Sequence, residues 1–196
     1  MATVKYIREA NDGARVRIGI LSDGDVVAYN VSVGLYSSLG LVRGCEFDDE
    51  TFAEIRAEDE RYRAFKRALG LLSYADNTVK NLVMKLRRAG FSRDVAEECA
   101  EECLRLGYID EERQIERAAL TEANRSLRGK EHIVQKLAAK GYKRDMVRDV
   151  IDSLVARGEI DFAANFEMLA EKCRAVTDEE RRALAYKRGY RGSDLD

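Results

Sequence analysis

Apolar residues recur at helical spacing from Val79 onward: Val79, Leu82, Val83 and Leu86 fall at i, i+3, i+4 and i+7 and form one stripe. A second stripe follows in Val95, Cys99, Cys103 and Leu106. Gly90 and Gly107 stand just past the two runs, where a left-handed C-terminal cap suits glycine. The pattern then returns 51 residues further on, with Thr78 to Asp110 lying on Gly129 to Asp161 without a gap. Leu82 pairs with Ile133, Leu86 with Leu137, Gly90 with Gly141, Phe91 with Tyr142, Gly107 with Gly158 and Asp110 with Asp161. Each copy reads helix, Gly-aromatic corner, helix, Gly, Ile-Asp, and Met146, Val150 and Leu154 carry the second stripe of the second copy. A unit of this size cannot bury its apolar face alone and must stack on a neighbour.

The flanking segments extend the pattern. Residues 3 to 33 alternate instead: Val16, Ile18 and Ile20 interleave with Arg15, Arg17 and Gly19, between Asn11-Asp12-Gly13 and Ser22-Asp23-Gly24, and Val26 to Val33 follows. Period two between Asp-Gly turns predicts an antiparallel hairpin or three-strand meander. From Ser37 onward the sequence predicts a short helical turn and then a Gly-rich loop. The acids Asp48 to Glu50 then open a long helix over about Glu50 to Leu72, with Phe52, Ile55, Tyr62, Phe65, Leu69 and Leu72 inward. Ile115, Ala118, Ala119 and Leu120 mark another helix within Asp110 to Arg125. Phe162, Phe166 and Leu169 begin a third unit, Thr177-x-x-Glu180 is a capping-box pattern, and Gly189-Tyr190 echoes Gly141-Tyr142. The expected fold is mainly α: tandem three-helix repeats forming an elongated array, preceded by a small antiparallel β hairpin or meander. The expected boundaries are 1–47 for the β subdomain, 48–107 and 108–158 for the first two repeats, and 159–196 for a third, degenerate or incomplete one.

Composition agrees with exposed helical repeats, since 36% of the 196 residues are charged and proline is absent. Net charge is only −2, which argues against strong autonomous binding to a polyanion, but the charge is unevenly spread. Glu97 to Glu116 holds eight acids and two bases, whereas Arg125 to Arg157 holds nine bases and four acids, a polarity suited to docking on a patterned surface. No basic-then-apolar leader and no apolar run of membrane length is seen, so a soluble, cytoplasmic monomer is expected.

Little in the sequence points to catalysis. His132 is the single histidine, which removes His-based triads and multi-His metal sites; its counterpart in the first repeat is Asn81, beside inward Leu82, so a partly exposed ring is expected. Cys45, Cys99, Cys103 and Cys173 have no CxxC spacing, and Cys99 with Cys103 line a helix face. No phosphate-loop, dinucleotide or zinc-ribbon motif appears. Asp48-Asp49-Glu50 and Asp110-Glu111-Glu112 sit at predicted helix starts, which accounts for them without a cation. Catalytic, cofactor and metal residues are therefore expected to be absent. Basic residues are the candidates that remain: Lys85, Arg87, Arg88 and Arg93 flank the first corner, Lys136, Lys140, Lys143 and Arg144 the second, and Arg125, Arg128 and Lys130 precede it. They are read either as a contact row or as a solvated face. Phe91 and Tyr142 are read as core rather than as base-stacking platforms.

Ala68-Leu69-Gly70-Leu71-Leu72-Ser73-Tyr74, Asn81 to Leu86, Gly90-Phe91 and Gly107-Tyr108-Ile109-Asp110 resemble the first repeat of the RecX family, bacterial regulators of the RecA recombinase. Gly129, Ile133, Leu137, Lys140-Gly141 and Leu154 are similar to the family's middle unit, and the N-terminal segment with Leu39 to Gly44 resembles the extension of its longer members. Asn81 departs from the family's usual Glu, and the third unit is weak and short. The resemblance implies a non-enzymatic regulator, mostly an inhibitor. It would lie in the groove of the RecA filament on single-stranded DNA and suppress ATP hydrolysis, strand exchange and co-protease activity, with the eleven basic residues above as filament contacts. The alternative from the residues themselves is a helical module binding DNA or RNA directly through its basic corners.

Overall fold

The structure is a computed structural model, and it describes residues 2–9 and 13–195, apart from the side chain of Ser193. The chain forms two compact units, Met1–Tyr74 with Leu82–Cys103, and Ala75–Asn81 with Leu104–Asp196. It is mostly helical, with a small antiparallel sheet at its N-terminal end.

In the first unit the alternating segment folds as β1 (Ala2–Glu9), β2 (Arg15–Ser22) and β3 (Asp25–Ser32). A two-residue strand, β4 (Glu46–Phe47), pairs with β1 and completes the order β3-β2-β1-β4. Asp23 and Gly24 both have positive φ, 54° and 91°, the mirror-image turn whose twist suits a tight hairpin. The expected Asn11-Asp12 turn lies outside the described residues. Val33, expected to close the third strand, instead opens α1 (Val33–Ser38), because the Ser32 hydroxyl accepts from the Leu35 N–H and caps the helix. One sheet face supplies Val4, Val16, Ile18, Ile20 and Val31 to a core shared with Leu41 and Ile55.

The long helix is α2 (Asp49–Tyr74). Its innermost side chains are Ile55, Ala64 and Ala68, while Phe52, Tyr62, Phe65, Leu69 and Leu72, all expected inward, are half-buried. Asp59 is buried on the same helix. Its carboxylate accepts from the Asn30 N–H (2.9 Å), the Asn30 side chain (3.1 Å) and Arg63 Nε (2.7 Å), which offsets the loss of water. After α3 (Val79–Arg88), α4 (Arg93–Arg105) buries Ala96, Cys99, Ala100 and Cys103. Leu106, expected in that stripe, is 46% exposed because α4 ends one residue earlier. Burial pushes the Cys99 thiol up to about 12 and raises Cys103, so both behave as apolar packing groups.

The second unit contains α5 (Glu111–Leu120), which widens into a π turn at Thr121–Arg125, then α6 (Lys130–Ala139), α7 (Arg144–Ala156), α8 (Phe162–Cys173), α9 (Asp178–Arg188) and a 3-10 turn at Gly192–Asp194. Its core joins Ile115, Ile133, Leu137, Val150, Leu154, Phe166 and Leu169; fully burying one such side chain contributes about 1.5–3 kcal/mol. On α7 the buried stripe is Val147, Val150, Ile151 and Leu154, with Met146 at its margin rather than within it. The repeated Ile-Asp acquires a physical meaning here. Ile109 and Ile160 are buried, and Asp110 and Asp161 cap the following helices by accepting from the Arg113 N–H (2.9 Å) and the Ala164 N–H (2.8 Å). The Thr177/Glu180 capping box forms as expected, and the two N–H bonds from Thr177 and Val176 hold the Glu180 carboxyl below its ordinary range. Among the described residues no helix is long and apolar enough to cross a membrane.

Candidate protein-interaction surface

The second corner, which carries Lys136, Lys140, Lys143 and Arg144, is held by a joint that recurs within the second unit. In the first occurrence, Thr78 Oγ1 caps the Asn81 N–H (3.0 Å), and Asn81 Nδ2 reaches across 59 residues to donate to the Lys140 carbonyl (2.7 Å). Gly141, at φ +104°, passes so close that a Cβ there would stand 2.9 Å from Thr78 Oγ1. Tyr142 follows; its hydroxyl donates to Gln114 Oε1 (2.8 Å), and burial raises its pKa. In the second occurrence Gly129 takes the place of Thr78 and His132 that of Asn81. The Gly129 N–H donates to the Arg188 carbonyl (2.9 Å) and the Glu131 N–H to the Gly189 carbonyl (3.1 Å), so backbone replaces side chain. Gly189 sits at φ +80° against His132, and Tyr190 packs between Phe162 and Phe166. The resemblance of Gly189-Tyr190 to Gly141-Tyr142 is thus a structural one.

The first joint borders a cleft of about 460 Å³ lined by Asp76, Thr78, Asn81, Gln114, Arg117, Ala118, Lys140 and Tyr142. Arg117 and Asp76 pair across it at 2.5 Å. Nothing about the cleft suggests chemistry, and among the described residues no group of three or more His, Cys, Asp or Glu side chains is placed to hold a metal ion.

The eleven candidate cations separate into paired and unpaired groups. Arg93 Nε bonds Glu97 Oε1 (2.8 Å), and that bond holds its pKa above the ordinary value. Lys130 pairs with Asp152, and Lys136 with Glu122 (2.7 Å), whose carboxylate is largely shielded from water. Lys85 is half-buried on α3. Arg87, Arg88, Arg125, Arg128, Lys140, Lys143 and Arg144 make no ion pair among the described residues, and all but half-buried Arg128 are exposed. In the second unit, Lys140, Lys143 and Arg144 thus cluster at one corner, between the end of α6 and the start of α7. The joint fixes that corner through the carbonyl of Lys140 itself. The Arg93–Glu97 pairing has the i, i+4 spacing of a helix and was open to sequence reasoning. The Lys130–Asp152 and Lys136–Glu122 pairs join residues whose proximity no local spacing indicates. Asn81, Gln114 and the π turn, which carries Asn124 to the Glu159 carbonyl (2.9 Å), also left no local signal.

Residues 64–103 match the family model for the first three-helix domain of RecX. The regulatory protein RecX of Leuconostoc mesenteroides is 26% identical over 166 residues, covering 82% of this chain and 62% of the relative. That of Bacillus subtilis is 26% identical over 137 residues, 70% of this chain and 52% of the relative. The chain is related to the RecX family. A crystal structure of regulatory protein RecX superposes with a TM-score of 0.71 at 22% identity, covering 99% of this chain and 97% of that one. RecX from Lactobacillus salivarius superposes at 0.58 and 21%, covering 70% and 93%. The RecX fold therefore extends over the sheet as well as the helices, well beyond the family-model match. The match spans less than two thirds of the length of these two relatives.

Proposed function

We propose that the chain regulates the RecA recombinase without enzymatic chemistry of its own, by binding the RecA filament on single-stranded DNA and suppressing ATP hydrolysis, strand exchange and co-protease activity. The observation that carries this reading is the α6–α7 corner, where Lys140, Lys143 and Arg144 are exposed, make no ion pair among the described residues, and stand on a scaffold fixed by Asn81. Relatedness to RecX regulatory proteins supplies the partner. Cations left unpaired at a rigid corner lose little entropy when they meet an acidic surface, and they act mainly on the association rate and its salt dependence. On a repeating filament, weak contacts at successive corners reinforce one another through effective concentration. Arg125 and Arg128 in this unit, and Arg87 and Arg88 on α3, are further contacts under the same reading.

The test is DNA-dependent ATP hydrolysis by RecA on single-stranded DNA with the protein titrated in, alongside its binding to naked DNA. Substoichiometric inhibition with weak DNA binding is the expected result. Reversing Lys140, Lys143 and Arg144 together to Glu should weaken inhibition while leaving the fold intact; Lys136 is left alone because its loss would strand Glu122. Unchanged RecA activity with tight binding to DNA or RNA would replace this reading with that of a nucleic-acid module.

A further inference from the structure

β3 is an edge strand, and part of its edge is open. Ser22 and Asp25 close the two-residue hairpin, so the bonds from β3 to β2 fall at 25, 27, 29 and 31, and the backbone N–H and C=O of Val26, Ala28 and Asn30 point away from the sheet. α2 runs beside this edge. At Asn30 the outward N–H is taken by the Asp59 carboxylate at 2.9 Å. At Val26 and Ala28 the outward groups have no partner among the described residues. Between strand and helix lies a groove of about 830 Å³, whose lining includes Ala28, Tyr29, Ala53 and Ala57. Val27, which also lines it, and Val26 beside it are 48% and 51% exposed.

The groove lining carries Arg17, Arg56 and Arg63 against Asp59 and Glu60, a small excess of positive charge. Both carboxylates that line it are committed within the fold, Asp59 to Asn30 and Arg63, and Glu60 to the Ser92 N–H at 3.0 Å. Arg17 and Arg56 also line it and make no ion pair among the described residues; Arg56 lies over the Phe52 ring at 4.8 Å. Asp23 and Asp25 stand at the hairpin tip, outside the lining. An open strand edge beside a helix with small side chains is the geometry in which a peptide adds as a further strand, its backbone supplying affinity and its side chains specificity.

We propose that this groove takes a short, extended, acidic segment of a partner protein, which pairs with Val26 and Ala28 of β3 and lays its carboxylates against Arg17 and Arg56. The segment's reach is about three to four residues, because Asp59 already closes the edge at Asn30. This inference does not rest on the recombinase reading; it stands on the first unit alone.

The test uses the full chain and a fluorescein-labelled peptide, Glu-Val-Glu-Val-Glu-Val, with the Lys-for-Glu peptide as control. Binding of the acidic peptide only, with amide shifts centred on Val26 and Ala28, is expected. Ala28→Pro removes an outward N–H without cutting the β2 ladder and should weaken binding about tenfold or more. The pair Arg17→Ser and Arg56→Ser should weaken it as well, and decides alone if Ala28→Pro disturbs the circular dichroism spectrum. Three outcomes would overturn the proposal: no binding at about 1 mM peptide, equal binding of both peptides, or concentration-dependent protection of Val26 and Ala28 through self-association.

Discussion

Thr78 and Gly129 begin the same repeat, yet they hold the following corner by different means. The first joint is made of side chains: Thr78 caps, Asn81 reaches the Lys140 carbonyl, and Tyr142 closes on Gln114. In the second the backbones of Gly129 and Glu131 bond directly to Arg188 and Gly189, and the aromatic ring enters deeper, leaving the Tyr190 hydroxyl buried without a hydrogen-bond partner among the described residues. The difference traces to two positions in register. Glycine at 129 admits a neighbouring backbone where threonine at 78 does not. Asn165 stands where Gln114 stands one repeat earlier, and its shorter amide bonds Asn124 instead of a tyrosine. A repeat can therefore keep its stacking while exchanging the atoms that make it.

The largest effect that would break the comparison belongs to Gly129. A Cβ there would collide with the backbone of Gly189 and Tyr190, so Gly129→Ala should cost about 3 kcal/mol in urea unfolding; a cost under about 1 kcal/mol would mean that the second joint is not close-packed. The tyrosines come next and should differ in sign. Tyr142→Phe leaves Gln114 buried without its donor and should destabilise by about 1–2 kcal/mol, whereas Tyr190→Phe removes an unsatisfied hydroxyl and should be neutral or stabilising. Asn81→Ala deletes one hydrogen bond at the edge of the first joint and should cost about 1 kcal/mol by the same measurement.

The smallest effect is a pH dependence confined to the second joint. Burial, reinforced by Arg128, Lys136 and Arg188 against Glu122, lowers the His132 pKa below its ordinary 6.5. The unfolded chain then binds the proton more readily than the folded one. The stability associated with neutral His132 is complete above that ordinary value, falls as pH drops through it, and levels off once the folded pKa is passed. His132→Asn, which installs the residue of the first joint, should remove this increment from the slope of stability against pH between neutral pH and 5. An unchanged slope would show that the ring is not held neutral by its surroundings.

The repeat itself, its helices and their ends were all legible in the sequence, because apolar periodicity, glycine beyond a helix and a capping acid are local signals that need no partner to be read. Leu82, Leu86, Ile133 and Leu137 are fully buried, and Gly90, Gly107, Gly141 and Gly158 all adopt positive φ where the helices end. Less legible was how deep each residue lies: along α2 Ile55, Ala64 and Ala68 are fully buried while Phe52, Tyr62 and Phe65 are half-buried, because burial depends on what the fold brings to each face and not on hydrophobicity alone. The basic residues were equally visible as a set, but their division was not. Among the described residues Lys136 pairs with Glu122 whereas Lys140, four positions on, makes no ion pair. The sequence was enough to show repeated helical units and the glycines at which the helices of the two matched copies stop. Which atoms join successive repeats and which charges remain for a partner depend instead on residues that folding brings together from 14 to 59 positions apart.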